Sequence, residues 1–203
     1  MEHLGNERVY MRDAILGVND GLISTFLLVT GVSGSGLSTR DILLTSIAGA
    51  LAGAVSMSAG EYVATKSQNE VIQGEIGLER THIRDFKKEE IEEVAQHLET
   101  IGIPRDNSEL RNHLITHYEN EPEALLKLMI ALEFGFVEEE QRNPFAAAAA
   151  SGALFFLGSL PSVLPFINKE IPAMECLFIA AIATTLSLLV VGCVKTWATR
   201  GEF

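Results

Sequence analysis

Cysteine is scarce in this 203-residue chain, which has only Cys176 and Cys193. Both fall in one apolar run, roughly 25 Å apart along a helix, so no disulfide joins them and no oxidising compartment is implied. Positive charge is also in deficit, with 15 basic against 27 acidic side chains and a net charge of -12. That balance repels phosphates, excludes nucleic acid as a partner and leaves small cations as the natural ligands. No nucleophile elbow, phosphate loop or dinucleotide fingerprint occurs, and no enzyme is read from the sequence. Charge of either sign is nearly missing from both flanks. Residues 66–142 hold 18 of the acids and 9 of the bases, a net -9 of the total. A small soluble protein does not sort its charge this way.

The flanks carry four apolar runs at residues 14–32, 42–64, 144–167 and 171–197. The first would span about 28 Å as a helix, close to the hydrocarbon thickness of a bilayer. Ser33-Gly34-Ser35-Gly36 separates it from the second, and Pro161 and Pro165 are expected to bend the far half of the third. Trp197, Lys195 and Arg200 close the fourth in the manner of an interface. Glu2, Glu7 and Asp13 flank the first run and Asp20 interrupts it, so it is a span rather than a cleaved signal peptide. Four spans put both termini and the charged insert on one side. Arg8, Arg12, Lys66, Lys195 and Arg200 lie there, against Arg40 and Lys169 opposite, which makes that side cytoplasmic. The expected fold is all-α: residues 1–65 with two spans, a cytoplasmic three-helix insert over 66–143, and two more spans over 144–203.

Within the insert, residues 66–103 lack an interrupting proline and predict one long helix running out of the second span, weakened at Gly74 and Gly77. A short helix follows from Ser108 to Tyr118. The third has Asn120 as its cap, Pro122 in its first turn and Gly135 at its end. Glu79 and His82 have the Glu-x-x-His spacing that places two metal ligands on one helix face, and Glu90 and Glu93 repeat it with two acids. Met129 and Glu133 share a face of the last helix. Carboxylates, an imidazole and a thioether suit ferrous iron or manganese better than calcium. Against this, a glutamate run is commonly a solvated face, and Met129 belongs to an apolar stripe with Leu125, Leu132 and Phe136. His113 and His117 have the i,i+4 spacing of zinc sites without the glutamate of a protease motif, and read as a solvent-facing or packing pair.

Asp20 lies six residues into the first span, where an ionised carboxylate costs about 3 kcal/mol on insertion scales. Met57 and Glu61 share one face of the second span. Asp20 with Met57 offers a cation a charged and then a soft ligand; the alternatives are that Asp20 caps a broken helix and that Glu61 snorkels to the interface. Small residues pair at i,i+4 as Gly17/Gly21, Gly49/Gly53 and Ser56/Gly60. They serve either packing within one chain or self-association.

The segment Asp13-Ala14-Ile15-Leu16-Gly17-Val18-Asn19-Asp20-Gly21-Leu22, with Ala54-Val55-Ser56-Met57-Ser58-Ala59-Gly60-Glu61-Tyr62 and the following Lys66-Ser67, resembles the vacuolar iron transporter family. The likeness extends over most of the chain, through the acidic insert to Pro161 and Pro165. It implies a homodimer that moves Fe2+ out of the cytoplasm in exchange for protons, with Mn2+, Zn2+ or Co2+ as further ions and no prosthetic group. It implies a path between subunits that uses Asp20 and Met57, and metal capture by Glu79, Glu90, Glu93, Met129 and Glu133. The membrane would be vacuolar or another endomembrane in a eukaryote and the plasma membrane in a prokaryote. Three departures stand out. His82 replaces a glutamate that the family often has, Gly49 stands where plant and fungal members often carry one, and the family's fifth span is absent. Glu61 is expected to substitute for the missing pore carboxylate. A membrane-anchored di-iron ferroxidase, which would need a second Glu-x-x-His, and a metal sensor without transport are the rival readings.

Overall fold

The computed structural model describes residues 5–104, 108–135 and 141–200, without the side chains of residues 5–12, 134 and 197–200. The side chains of Glu2, Glu7, Arg8, Arg12, Phe136, Trp197 and Arg200, used in the sequence arguments, therefore lie outside the described residues. Among those described, every regular element is helical. In order they are α1 (Gly5–Ser33), α2 (Thr39–Asp85), α3 (Lys87–Thr100), α4 (Ser108–Asn120), α5 (Pro122–Met129), α6 (Pro144–Val163) and α7 (Ala173–Arg200). A π-helical turn, Ile130–Phe134, follows α5, and a 3-10 turn, Leu164–Ile167, follows α6. The chain forms two compact units, one of Met1–Thr65 with Asn143–Phe203 and the other of Lys66–Arg142. Helix α2 contributes residues to both.

The first unit holds four segments long and apolar enough to cross a membrane: Asp13–Ser33, α2, Pro144–Ile167 and Ala173–Thr196. Val29, Ile42, Phe166, Cys176 and Ala180 form a buried apolar cluster within it, and elsewhere its helices meet through small residues. A Cβ on Gly21 would stand 2.1 Å from the Phe155 carbonyl oxygen, and one on Gly158 2.4 Å from that of Val18, so α1 and α6 touch backbone to backbone. Gly17 packs on Leu154, Gly49 on Leu28 and Gly53 on Phe155. Two of the three small-residue pairs thus serve packing within the chain. The third, Ser56 with Gly60, is exposed, and a Cβ on Gly60 would meet nothing within 4 Å.

Hydroxyls add interhelical bonds that lipid cannot replace. Thr25 donates to Ser159 Oγ at 3.0 Å, and the fully buried Ser162 pairs with Thr184 at 3.0 Å. Asn143 caps α6 by accepting from the Phe145 and Ala146 amides at 2.9 and 3.2 Å. Pro161 is accommodated inside α6, and the chain tightens into the 3-10 turn just before Pro165. Cys176 is buried, Cys193 is exposed and both are free thiols.

The second unit has an aliphatic core of Ile72, Ile76, Ile83, Val94, Leu98, Leu125, Leu126, Met129 and Ile130. This core corrects the expected single helix over residues 66–103. The backbone breaks at Phe86 (φ -129°, ψ 35°), while Gly74 and Gly77 stay within α2. The physical reason is burial. On an unbroken helix Ile72 and Leu98 would stand roughly 39 Å apart, and only a reversal lets both enter one core. Asn120 is not the cap of α5; Glu121 holds that position, and the Asn120 amide donates to the Thr116 carbonyl at 2.7 Å. Gly135, at φ 69°, supplies the left-handed residue that ends the π-helical turn. Asn69 Nδ2 donates to the Arg142 carbonyl at 2.8 Å and ties the two ends of the unit together.

Candidate metal centre

The break at Phe86 also builds the site. Glu79 and Glu90 are eleven residues apart and would lie about 16 Å from each other on a continuous helix. With α3 turned back, His82 Nδ1 stands 3.9 Å from Glu79 Oε2 and 3.7 Å from Glu90 Oε1. One ligand atom from each of the three residues lies within 4.8 Å of the others. Among the described residues, no other trio of His, Cys, Asp or Glu side chains is gathered this closely. The Phe86 ring stands edge-on to His82, with centroids 6.3 Å apart.

Burial makes this cluster unlike an ordinary acidic surface. Glu79 is 3% exposed and Glu90 5%, whereas the His82 side chain is 42% exposed. Glu79 Oε1 and Glu90 Oε2 are buried without hydrogen-bond partners. Such atoms cost free energy unless something binds them. Burial, followed by repulsion from Glu90 and Glu133, pushes the Glu79 pKa up to about 7. Glu133 is also shifted upward, by partial loss of solvent and by a hydrogen bond and repulsion from Glu93, with Glu90 adding to it. Burial first, and repulsion among the four carboxylates second, favour the protonated forms, and a dication entering between them would relieve that repulsion while displacing protons.

Of the residues singled out in the insert, Glu79, His82 and Glu90 form the cluster, and Glu93 and Glu133 interact at its edge while remaining exposed. Met129 is fully buried in the aliphatic core. His97 was missed by the sequence reading. It lies close enough to Glu133 to draw that pKa downward, and its place four residues after Glu93 was the signal that could have found it.

In the membrane unit Asp20 is exposed on α1, while Met57 and Glu61 are half-buried one turn apart on α2. Thr65, itself buried, donates to Glu61 Oε1 at 3.1 Å, so that carboxylate is held by its own helix. The Ser24 hydroxyl donates to the Asp20 backbone carbonyl.

Four apolar helices joined to an acidic helical insert with a buried carboxylate cluster define a multi-pass membrane protein. The chain belongs to the VIT family, whose model matches residues 11–202. It is 31% identical over 193 residues to vacuolar iron transporter 1 of Eucalyptus grandis, covering 95% of this chain and 76% of that protein. It is 32% identical over 187 residues to vacuolar iron transporter 1 of Arabidopsis thaliana, covering 91% and 72%. Protein CCC1 of Saccharomyces cerevisiae is 24% identical over 193 residues, covering 94% of this chain and 58% of that one.

Proposed function

We propose that this chain moves ferrous iron across a membrane, out of the cytoplasm and in exchange for protons, with the insert on the cytoplasmic side capturing the metal. Manganese, zinc and cobalt are further ions of the same coordination class. The observation that carries the reading is the Glu79–His82–Glu90 cluster, where two buried carboxylates and an imidazole converge within 4.8 Å. Mixed oxygen and nitrogen donors favour a divalent transition ion. The relatives' names supply iron as the cargo. In a eukaryotic cell the membrane would be that of the vacuole or another endomembrane, and in a prokaryotic cell the plasma membrane.

Each part has a role in this scheme. Glu79, His82 and Glu90 take the ion from solution, Glu93 and Glu133 add negative potential, and protons held by mutual repulsion leave as it binds. Met129 supports the cluster from the core and offers a thioether. Asp20, Met57 and Glu61 form the path through the membrane unit. The exposed Asp20 suits a path completed by a second copy, in a homodimer. Protonation of an emptied carboxylate resets the cycle.

Proteoliposomes containing the purified chain test this reading. Ferrous iron should accumulate when a pH gradient is imposed, and Asp20→Ala should abolish accumulation while metal retention by the insert persists. Accumulation that ignores the gradient would remove the antiport step. Oxygen-dependent iron oxidation without accumulation would replace the transporter with an enzyme.

A further inference from the structure

Helix α4 carries a second set of metal-capable side chains, away from the carboxylate cluster. His113 and His117 are four residues apart, so their rings project from one face, and both are exposed. With Asn112, Thr116, Asn120 and Glu121 they line an open surface cavity of about 480 Å³. Every residue around this cavity is polar. His113 Nδ1 lies 2.9 Å from the Glu109 backbone carbonyl. A carbonyl can only accept, so the proton sits on Nδ1 and the Nε2 lone pair is free. Metal-binding histidines are oriented in this way, with the second ring nitrogen bonded to a carbonyl or carboxylate. The His117 ring contacts Tyr118 at 5.2 Å between centroids, in an edge-to-face arrangement. One turn further, the Glu121 amide donates to the His117 carbonyl at 3.0 Å, holding the Glu121 backbone against the end of α4.

We propose that His113 and His117 form a second metal site for a late first-row dication of the copper, nickel or zinc type, bound through His113 Nε2 and the His117 imidazole. Two imidazoles favour these ions, which stand at the strong end of the divalent affinity order, whereas the carboxylate cluster suits harder ones. The two sites therefore differ in metal preference by donor chemistry, with copper favoured on α4 over the carboxylate cluster. The α4 site stands whether or not the chain transports iron.

Cu2+ is the probe, and electron paramagnetic resonance on the full chain in detergent is the readout. His3, His82 and His97 are replaced by glutamine, which leaves His113 and His117 as the remaining histidines of the five. This background should bind one Cu2+ with hyperfine coupling to imidazole nitrogen. Adding His113→Ala and His117→Ala should remove that coupling and weaken Cu2+ binding at least about tenfold, with helicity unchanged because both rings are exposed. Adding Glu79→Gln and Glu90→Gln to the same background should leave it intact. Nitrogen coupling that survives loss of the histidine pair, or that is absent from the background chain, would overturn the proposal.

Discussion

The two units of this chain hold themselves together with different balances of contacts. The membrane unit is held by glycine contacts such as Gly21 against Phe155 and by hydroxyl pairs such as Ser162 with Thr184. Lipid is as apolar as leucine, so packing and polar bonds supply what hydrophobic burial cannot. The insert has the reverse economy. Its core is isoleucine, leucine, valine and methionine, and that burial holds Glu79 and Glu90 together against their mutual repulsion. Close backbones order one unit; in the other, stability is drawn on to keep two buried carboxylates side by side.

The difference can be broken most sharply at the glycines. Gly21→Leu or Gly158→Leu forces a side chain into a neighbouring carbonyl and should cost about 3 kcal/mol or more. Thermal unfolding in detergent should fall for the membrane unit, while metal retention by the insert is kept. In the insert, Leu98→Ala opens a cavity and should cost about 2–5 kcal/mol. Here metal affinity should fall as well, because α3 carries both Leu98 and Glu90 into the core.

The third contrast is in pH. The Glu79 pKa is raised from 4.5 to about 7 in the folded chain, so the folded state holds a proton that the unfolded state has lost. Stability of the metal-free insert should therefore decline as pH rises from about 4.5 to about 7 and level off above it. Glu79→Gln should flatten that decline, and bound Mn2+ should oppose it; melting curves between pH 4 and pH 8, with and without the ion, check both. The smallest effect is expected at the α6 cap, where Asn143→Ala should cost about 1 kcal/mol with cation binding untouched.

The same contrast explains what could be read from the sequence. The four spans were legible because each is a long apolar run, and Glu79 with His82 because their spacing lies within one helix. The reversal at Phe86 was not, because neither glycine nor proline marks it. Its trace is distributed instead: Ile72, Ile76 and Ile83 form one apolar stripe and Val94 and Leu98 another, and both can be buried only if the chain folds back. Without that reversal Glu90 had no visible route to Glu79. The partners of Gly17, Gly21 and Gly53 on α6 were equally hidden, since a small residue shows that something approaches but not what.

The central claim is that the buried carboxylate cluster of the insert holds a divalent transition ion. Equilibrium dialysis of the full chain against ferrous iron without oxygen, beside the Glu79→Gln/Glu90→Gln variant, tests it most directly. The wild-type chain should retain iron at neutral pH and release it on acidification, and the variant should lose at least about 90% of that affinity. No retained iron, or equal retention by both chains, would contradict the account.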